Sequence, residues 1–173
     1  MDHDSYKDAY IRDILVRSRV IAMVGASPKP SRPSYFVMKY LRTKGFEVIP
    51  VNPGHAGNTI LDQPVFGTLS DIGRPVEIVD IFRNSQAALP ITKEAIAIGA
   101  KVVWMQLGVR NDEAARLAEE AGLKVVMNRC PKIEYGRLSG EIGWAGVNSR
   151  MLSSKRPLLG PKGGQQRALR ADD

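Results

Sequence analysis

The sequence contains a single cysteine, Cys130, and only two histidines, His3 and His55. One thiol excludes an internal disulfide framework, and one thiol with two imidazoles is too small a stock of soft ligands for a zinc site. A reducing compartment suits such a chain. No apolar run approaches the roughly 20 residues that a membrane-spanning helix requires. Residues 1–19 are too densely charged to contain the apolar core of a signal peptide. These absences lead to the expectation of a cytoplasmic protein that engages no membrane.

Acidic residues are also in deficit: 25 Lys and Arg stand against 18 Asp and Glu, a formal net charge of +7. Where the excess lies matters more than its sum. Residues 1–19 hold four charges of each sign, residues 20–149 hold fifteen basic and twelve acidic, and residues 150–173 hold six and two. The tail therefore carries +4 of the +7. There Lys155, Arg156, Lys162, Arg167 and Arg170 alternate with prolines and glycines, a composition that cannot bury a core. A flexible, solvated tail is expected. Nucleic acid is not an expected partner, because the tail lacks aromatic stacking groups and the chain lacks a recognised nucleic-acid-binding fold. Action on nucleic acid through the tail is kept as an alternative.

With 173 residues and 43% hydrophobic content, the chain has the size of one globular domain. Tyr10, Ile11, Ile14 and Leu15 form one apolar stripe, so residues 1–19 are expected to contribute a flanking helix. Residues 20–149 form the domain proper and 150–173 the tail. Val20 to Val24 is a continuous apolar run ended by Gly25, the mark of a strand buried on both faces. A helix is expected to begin near Pro33, to bury Phe36, Val37, Tyr40 and Leu41, and to end at Gly45. Glycine followed by a strand then recurs: Gly45 before residues 47–51, Gly99 before 101–104, and Gly122 before 124–127. Each glycine can take the left-handed conformation that closes a helix. Residues 76–81 supply a further strand, and Asn111 caps a helix whose first turn holds Asp112 and Glu113. The stretch 52–75 is the least regular, with one helical turn expected near Leu69 to Ile72. The pattern predicts an α/β fold, a Rossmann-like doubly wound sheet of about five parallel strands with flanking helices.

In such a sheet, ligands bind beyond the carboxyl ends of the strands. Those ends read Gly25-Ala26-Ser27-Pro28, Asn52-Pro53-Gly54, Phe82-Arg83-Asn84-Ser85, Gln106-Leu107-Gly108 and Asn128-Arg129-Cys130-Pro131. Glycine permits close backbone approach, and the amide, hydroxyl and guanidinium groups can hold phosphates and a base edge. Gly25 and Ser27 lead to the amino end of the helix that begins near Pro33, whose unpaired amides favour an anion; Lys29 and Arg32 add positive charge, and Ser34 lies in its first turn. A nucleotide is the default ligand. An NAD(P)-dependent oxidoreductase is the main alternative, yet the G-x-G-x-x-G fingerprint is absent. Asn52-Pro53 also stands where an acidic residue would hold the ribose.

Taken in order, residues 24–28, 51–53, 79–83, 104–108 and 128–131 resemble the stand-alone CoA-binding domain proteins, over roughly residues 20–138. That family is related to the CoA-binding domain of the succinyl-CoA synthetase alpha subunit and of ADP-forming acyl-CoA synthetases. The resemblance implies coenzyme A or acyl-CoA as ligand. The first loop would hold the diphosphate, Asn52-Pro53 would lie by the adenosine, and the later loops would line the pantetheine arm. The site set is Gly25, Ala26, Ser27, Lys29, Arg32, Ser34, Asn52, Pro53, Arg83, Gln106, Gly108, Asn128, Cys130 and Pro131. The ligases carry a phosphorylated histidine in a following domain, whereas no histidine lies beyond His55 here. With no ATP-grasp segment or P-loop, a carrier or sensor without chemistry of its own is expected.

Four single residues have plainer readings. Trp104 is expected in the core, Asp80 as a hydrogen-bonded structural carboxyl, His55 in a loop, and Cys130 as a small buried side chain. Cys130 could also approach a CoA thiol as a mixed disulfide. A side chain at Gly25 is expected to abolish ligand binding while leaving the fold largely intact.

Overall fold

Short apolar runs ended by glycine or proline, alternating with amphipathic stretches, become strands and helices in turn. A computed structural model describes residues 1–141; the end of the expected domain and the whole basic tail, 142–173, lie outside the described residues. In chain order the elements are α1 (Asp8–Arg17), β1 (Val20–Val24), α2 (Pro33–Thr43), β2 (Glu47–Val51), β3 (Thr59–Ile60), β4 (Gln63–Pro64), β5 (Ile78–Ile81), α3 (Ser85–Ala97), β6 (Val102–Met105), α4 (Asp112–Glu120), β7 (Lys124–Val126) and α5 (Pro131–Leu138). Single 3-10 turns occupy Pro53–His55 and Ser70–Ile72.

Five strands form one parallel sheet in the order β2-β1-β5-β6-β7. The chain moves outward from β1 to β2, then returns to the other side of β1 and proceeds through β5, β6 and β7. Because each crossover is right-handed, this reversal places α2 on one face and α3 and α4 on the other. Two apolar cores follow. Ile11, Ile14 and Leu15 of α1 join Val37, Met38 and Leu41 of α2 and Tyr135 of α5 over one face. Ala88 and Ala95 of α3 meet Ala114, Ala115 and Ala118 of α4 over the other, where small side chains let the two helices lie close. The expected burial of Phe36 is corrected: it is 40% exposed, and Ser34 and Met38 take the inward positions of α2 instead. The inward stripe is set by Val37 and Leu41, and Phe36 falls outside it.

Both sheet edges are partly covered without a sixth strand. On the β2 side, Phe66 N donates to Pro50 O (3.0 Å) and Asn52 N donates to Phe66 O (2.8 Å). On the β7 side, hydroxyls of Tyr6 and Tyr10 meet the backbone of Val125 and Met127.

Gly25 is where the sheet divides. Its N–H donates to Val51 O on the β2 side (2.9 Å), while Phe82 N donates to Val24 O on the β5 side (2.8 Å). Gly25 has φ +88°, and a Cβ built there would sit 2.4 Å from the Phe82 carbonyl oxygen. A side chain at Gly25 therefore meets main chain of the neighbouring strand, which cannot swing aside, and the stability cost expected there has a specific physical source. Gly25→Ala is expected to cost about 3 kcal/mol, combining left-handed strain with the clash. Chemical denaturation measures it, and wild-type stability would contradict the crossing.

Deep in the sheet, Trp104 is fully buried and its indole N–H donates to Arg129 O (2.8 Å). Beside it Asp80 is also fully buried, with Gln106 Nε2 donating to its two oxygens at 3.0 and 3.1 Å. Burial pushes the Asp80 carboxyl up to about 8, against the smaller downward pull of that amide. An unfolded aspartate titrates near ~3.9. Between these values the folded chain keeps a proton that the unfolded chain has released, so stability falls as pH rises from about 4 to about 8. Asp80→Asn retains a hydrogen-bonding partner for Gln106 without that proton. Thermal melts across this range should show a smaller decline in the variant, and parallel curves would contradict the neutral acid.

Candidate functional site

All five strand-end loops lie along one edge of the sheet, and the reversal of strand order falls between β1 and β5. A crevice at such a reversal is the general ligand position of open α/β sheets. The loop after β1 turns at Gly25 and enters α2 through Arg32, with Pro33 at the first helical position. Ser27 N donates to Ser34 Oγ (3.1 Å), and Lys29 N donates to Ser27 Oγ (3.2 Å), so two serines fold the loop on itself. Ser34 is buried, and its own N–H, at the second helical position, has no intrahelical acceptor.

The amino end of α2 differs from those of the other four helices among the described residues. Asn84 and Asn111 cap α3 and α4 with side-chain oxygens. Asp8 and Glu134 place carboxylates in the first turns of α1 and α5. Only α2 has neither a side-chain cap nor an acidic first turn. Its partial positive charge is thus uncompensated. Lys29 and Arg32 are exposed, as is Arg83 at the end of β5, and none of the three side chains has a partner among the described residues. The Arg83 stem crosses the turn closely enough that a Cβ on Gly25 would lie 3.0 Å from its Cδ.

The polar residues of the remaining loops serve a different purpose. Asn52 Nδ2 donates to Ala26 O (2.8 Å) and Asn52 Oδ1 accepts from Gly54 N (2.9 Å), tying the β2 loop to the β1 loop with Pro53 exposed between them. Asn128 Oδ1 accepts from Gly108 N (2.8 Å), joining the β7 and β6 loops. To do so Asn128 adopts φ +53°, a conformation asparagine tolerates better than most residues. Gln106 is buried on Asp80. Asn52, Gln106, Gly108 and Asn128 therefore shape the edge, while Lys29, Arg32 and Arg83 are free to meet a ligand.

Cys130 is buried as the cap residue of α5, with Pro131 buried beside it. Burial pushes its thiol above the usual value, the Asp80 charge adds to this, and the Ile133 and Lys132 amides pull the other way. The thiol form is favoured, as befits a packed side chain.

Sequence reasoning missed three contributors. Leu107 is 57% exposed in the β6 loop, an apolar surface at the edge of the site. Ser85 Oγ accepts from Arg110 N (3.0 Å) and Ser85 O accepts from Asn111 Nδ2 (2.9 Å), binding the β5 loop to the β6 loop. Asn111 was legible as a cap, but its second bond spans 26 residues and no local pattern carries it. Two surface depressions of about 350 and 290 Å3 lie at the opposite end of the strands, lined by Gly45 to Val48 and by Ser18, Glu77 and Lys101 among others. There Glu47 pairs with Arg74 and Asp13 with Lys124, whereas Lys29, Arg32 and Arg83 have no partner among the described residues.

The uncharacterised protein YneT of Bacillus subtilis (strain 168) is 37% identical over 127 residues, spanning 73% of this chain and 93% of that one. A hypothetical protein from Pyrococcus horikoshii OT3 has the same fold with a TM-score of 0.74 at 43% identity, covering 80% of this chain and 96% of that one. The dinucleotide-forming acetyl-coenzyme A synthetase 1 of Ca. Korarchaeum cryptofilum is similar in fold alone, with a TM-score of 0.54 at 23% identity over 63% of this chain and 26% of that one. The family model described as the CoA binding domain matches residues 19–136, and the chain belongs to that family.

Proposed function

We propose that the chain binds coenzyme A, free or acylated, across the carboxyl ends of its strands, as a carrier or sensor without ligase chemistry of its own. The observation that carries this reading is the uncapped, acid-free amino end of α2, flanked by the unpartnered Lys29, Arg32 and Arg83. Backbone amides, a helix end and three cations suit a diphosphate. Gly25, Ala26, Ser27 and Ser34 then shape the phosphate loop, and Asn52-Pro53 lies by the adenosine. Gln106, Gly108, Asn128, Cys130 and Pro131 flank the pantetheine arm. Family membership supports the same ligand.

The NAD reading lacks its acidic ribose partner, and Asn52 has both ends of its amide engaged within the protein. A nucleic-acid reading rests on residues 150–173, which lie outside the described residues. Among the described residues no helix is long and apolar enough to cross a membrane, and a cytoplasmic setting completes the proposal.

Titration calorimetry and thermal melting with CoA and with NAD test the reading. CoA should raise the melting temperature, by about 2.7 kcal/mol of stabilisation at 100 times Kd, while NAD should not; the reverse result would overturn it. Lys29→Ala, Arg32→Ala and Arg83→Ala are each expected to weaken CoA binding roughly 10-fold, from about 1.5 kcal/mol for a hydrogen bond to a charged group. The apo melting temperature should not change, since these side chains have no protein partner. Unchanged affinity in all three variants would remove the phosphates from α2. Truncation after residue 149 should leave CoA affinity within a few-fold, and a tenfold loss would make the tail part of the site.

A further inference from the structure

The described chain ends against α2. Glu141 lies beyond the last turn of α5, where its carboxylate accepts from Tyr40 Oη at 2.8 Å and pairs with the Lys44 ammonium. Burial, and after it the Glu141 carboxylate, push the Tyr40 hydroxyl well above its usual value, so it stays a donor. The Tyr40 ring is itself flanked: Lys44 and Lys132 lie over it at 5.2 and 5.6 Å, and Tyr135 meets it edge-on at 6.2 Å. Tyr40 and the capping residue Lys44 continue a stripe of α2 that begins four residues earlier, at Phe36. There the stripe is uncovered. Among the described residues Met1, Phe36 and Leu107 are the large apolar side chains left exposed, and of these only Phe36 lies on a helix.

We propose that Phe36 is the seat of the segment that follows Glu141, with Trp144 packed on its ring and residues 142–147 laid along α2 toward its amino end. The segment lies outside the described residues, and its sequence and its tether support this placement. Ile142-Gly143-Trp144-Ala145-Gly146-Val147-Asn148-Ser149 carries no charge, in contrast to the basic residues that follow. Its tryptophan has a large apolar surface to bury, and Gly143, Ala145 and Gly146 let the backbone lie close to a helix. Three residues of extended chain span about 10 Å. The turn of helix from Tyr40 back to Phe36 is about 6 Å, so Trp144 reaches Phe36 from the place where Glu141 is held. A second copy of the chain is a poorer occupant. One phenylalanine among the exposed Lys39, Arg42 and Thr43 falls far short of the roughly 1,000 Å2 that a stable interface requires. A tethered segment needs much less area, because its local concentration is already high. The exposed Lys39 and Arg42 also disfavour the basic residues from Arg150 onward as the occupant. The inference does not rest on CoA binding.

Proton NMR and acrylamide quenching of the full chain test it. The chain has two tryptophans, and the fully buried Trp104 is shielded from quencher, so Trp144 supplies the quenchable emission. Wild type should show nuclear Overhauser contacts between the Trp144 indole and the Phe36 ring. Phe36→Ala is expected to shift the docking equilibrium about fivefold toward the released segment, the loss of one aromatic pair. Quenching of Trp144 should rise accordingly with the circular dichroism spectrum unchanged, whereas Phe36→Tyr, which keeps a ring, should leave it as in wild type. Trp144 quenched in wild type like a free indole, or protected equally in Phe36→Ala, would overturn the proposal. So would a wild-type chain that sediments as a dimer and becomes a monomer in Phe36→Ala, which would give the surface to a second copy. Tyr40→Phe, which removes the bond to Glu141, decides the matter if Phe36→Ala does not fold. Quenching of Trp144 should rise there too, and unchanged quenching would show that holding Glu141 does not bring the segment to Phe36.

Discussion

A backbone crossing without a side chain, Gly25 against the Phe82 carbonyl, governs the arrangement of this molecule. It brings the ends of β1 and β5 together at the point where strand order reverses. The same residue turns the chain toward α2, so the crossing sets both where the sheet divides and where a helix amino end points. A left-handed φ and a carbonyl 2.4 Å from the missing Cβ are two independent demands for glycine at one position. The loop after β1 inherits its geometry from this packing requirement.

Asparagine, glutamine and serine side chains then fix the rest of the strand-end edge. Asn52 joins the first two loops, Asn111 and Ser85 join the β5 and β6 loops, and Asn128 joins the last two. Each contributes one or two bonds near 2.9 Å to backbone groups that would otherwise require water. The edge is thereby organised by the chain's own bonds, which would lower the ordering cost of the proposed binding. Along this edge Lys29, Arg32 and Arg83 have no partner among the described residues, whereas Arg110 pairs with Asp4 and Asp112, so the unpaired positive charge gathers near the amino end of α2.

The fold was legible because its signals are local and redundant. The run Val20 to Val24, ended by Gly25, forms the strand its apolar continuity indicated, and Gly45, Gly99 and Gly122 do adopt the left-handed conformation at helix ends. The hairpin of β3 and β4 was not legible. Its strands have two residues each, and its turn places Leu61 at φ +48°, where leucine gives no turn signal. The closing of the β2 edge by Phe66 was hidden in the same irregular stretch. Within the candidate site, sequence position gathered the loops but did not show which of their polar groups the chain itself engages. Asn52, Gln106 and Asn128 were read as ligand groups, and their amides are engaged with Ala26, Asp80 and Gly108, partners that only the folded chain brings near. Arg83, exposed at the end of β5, has no such engagement among the described residues.

The central claim is that the strand carboxyl ends, and not the depressions at the opposite end of the sheet, receive the ligand. Amide chemical-shift mapping during a CoA titration tests it directly. Shifts should concentrate at Ala26, Ser27, Ser34 and Arg83, with smaller changes at Gly108 and Asn128, while Phe46, Val48 and Lys101 remain still. Perturbations clustered at Phe46, Val48 and Lys101, with the Ser27 and Ser34 amides unmoved, would contradict the account.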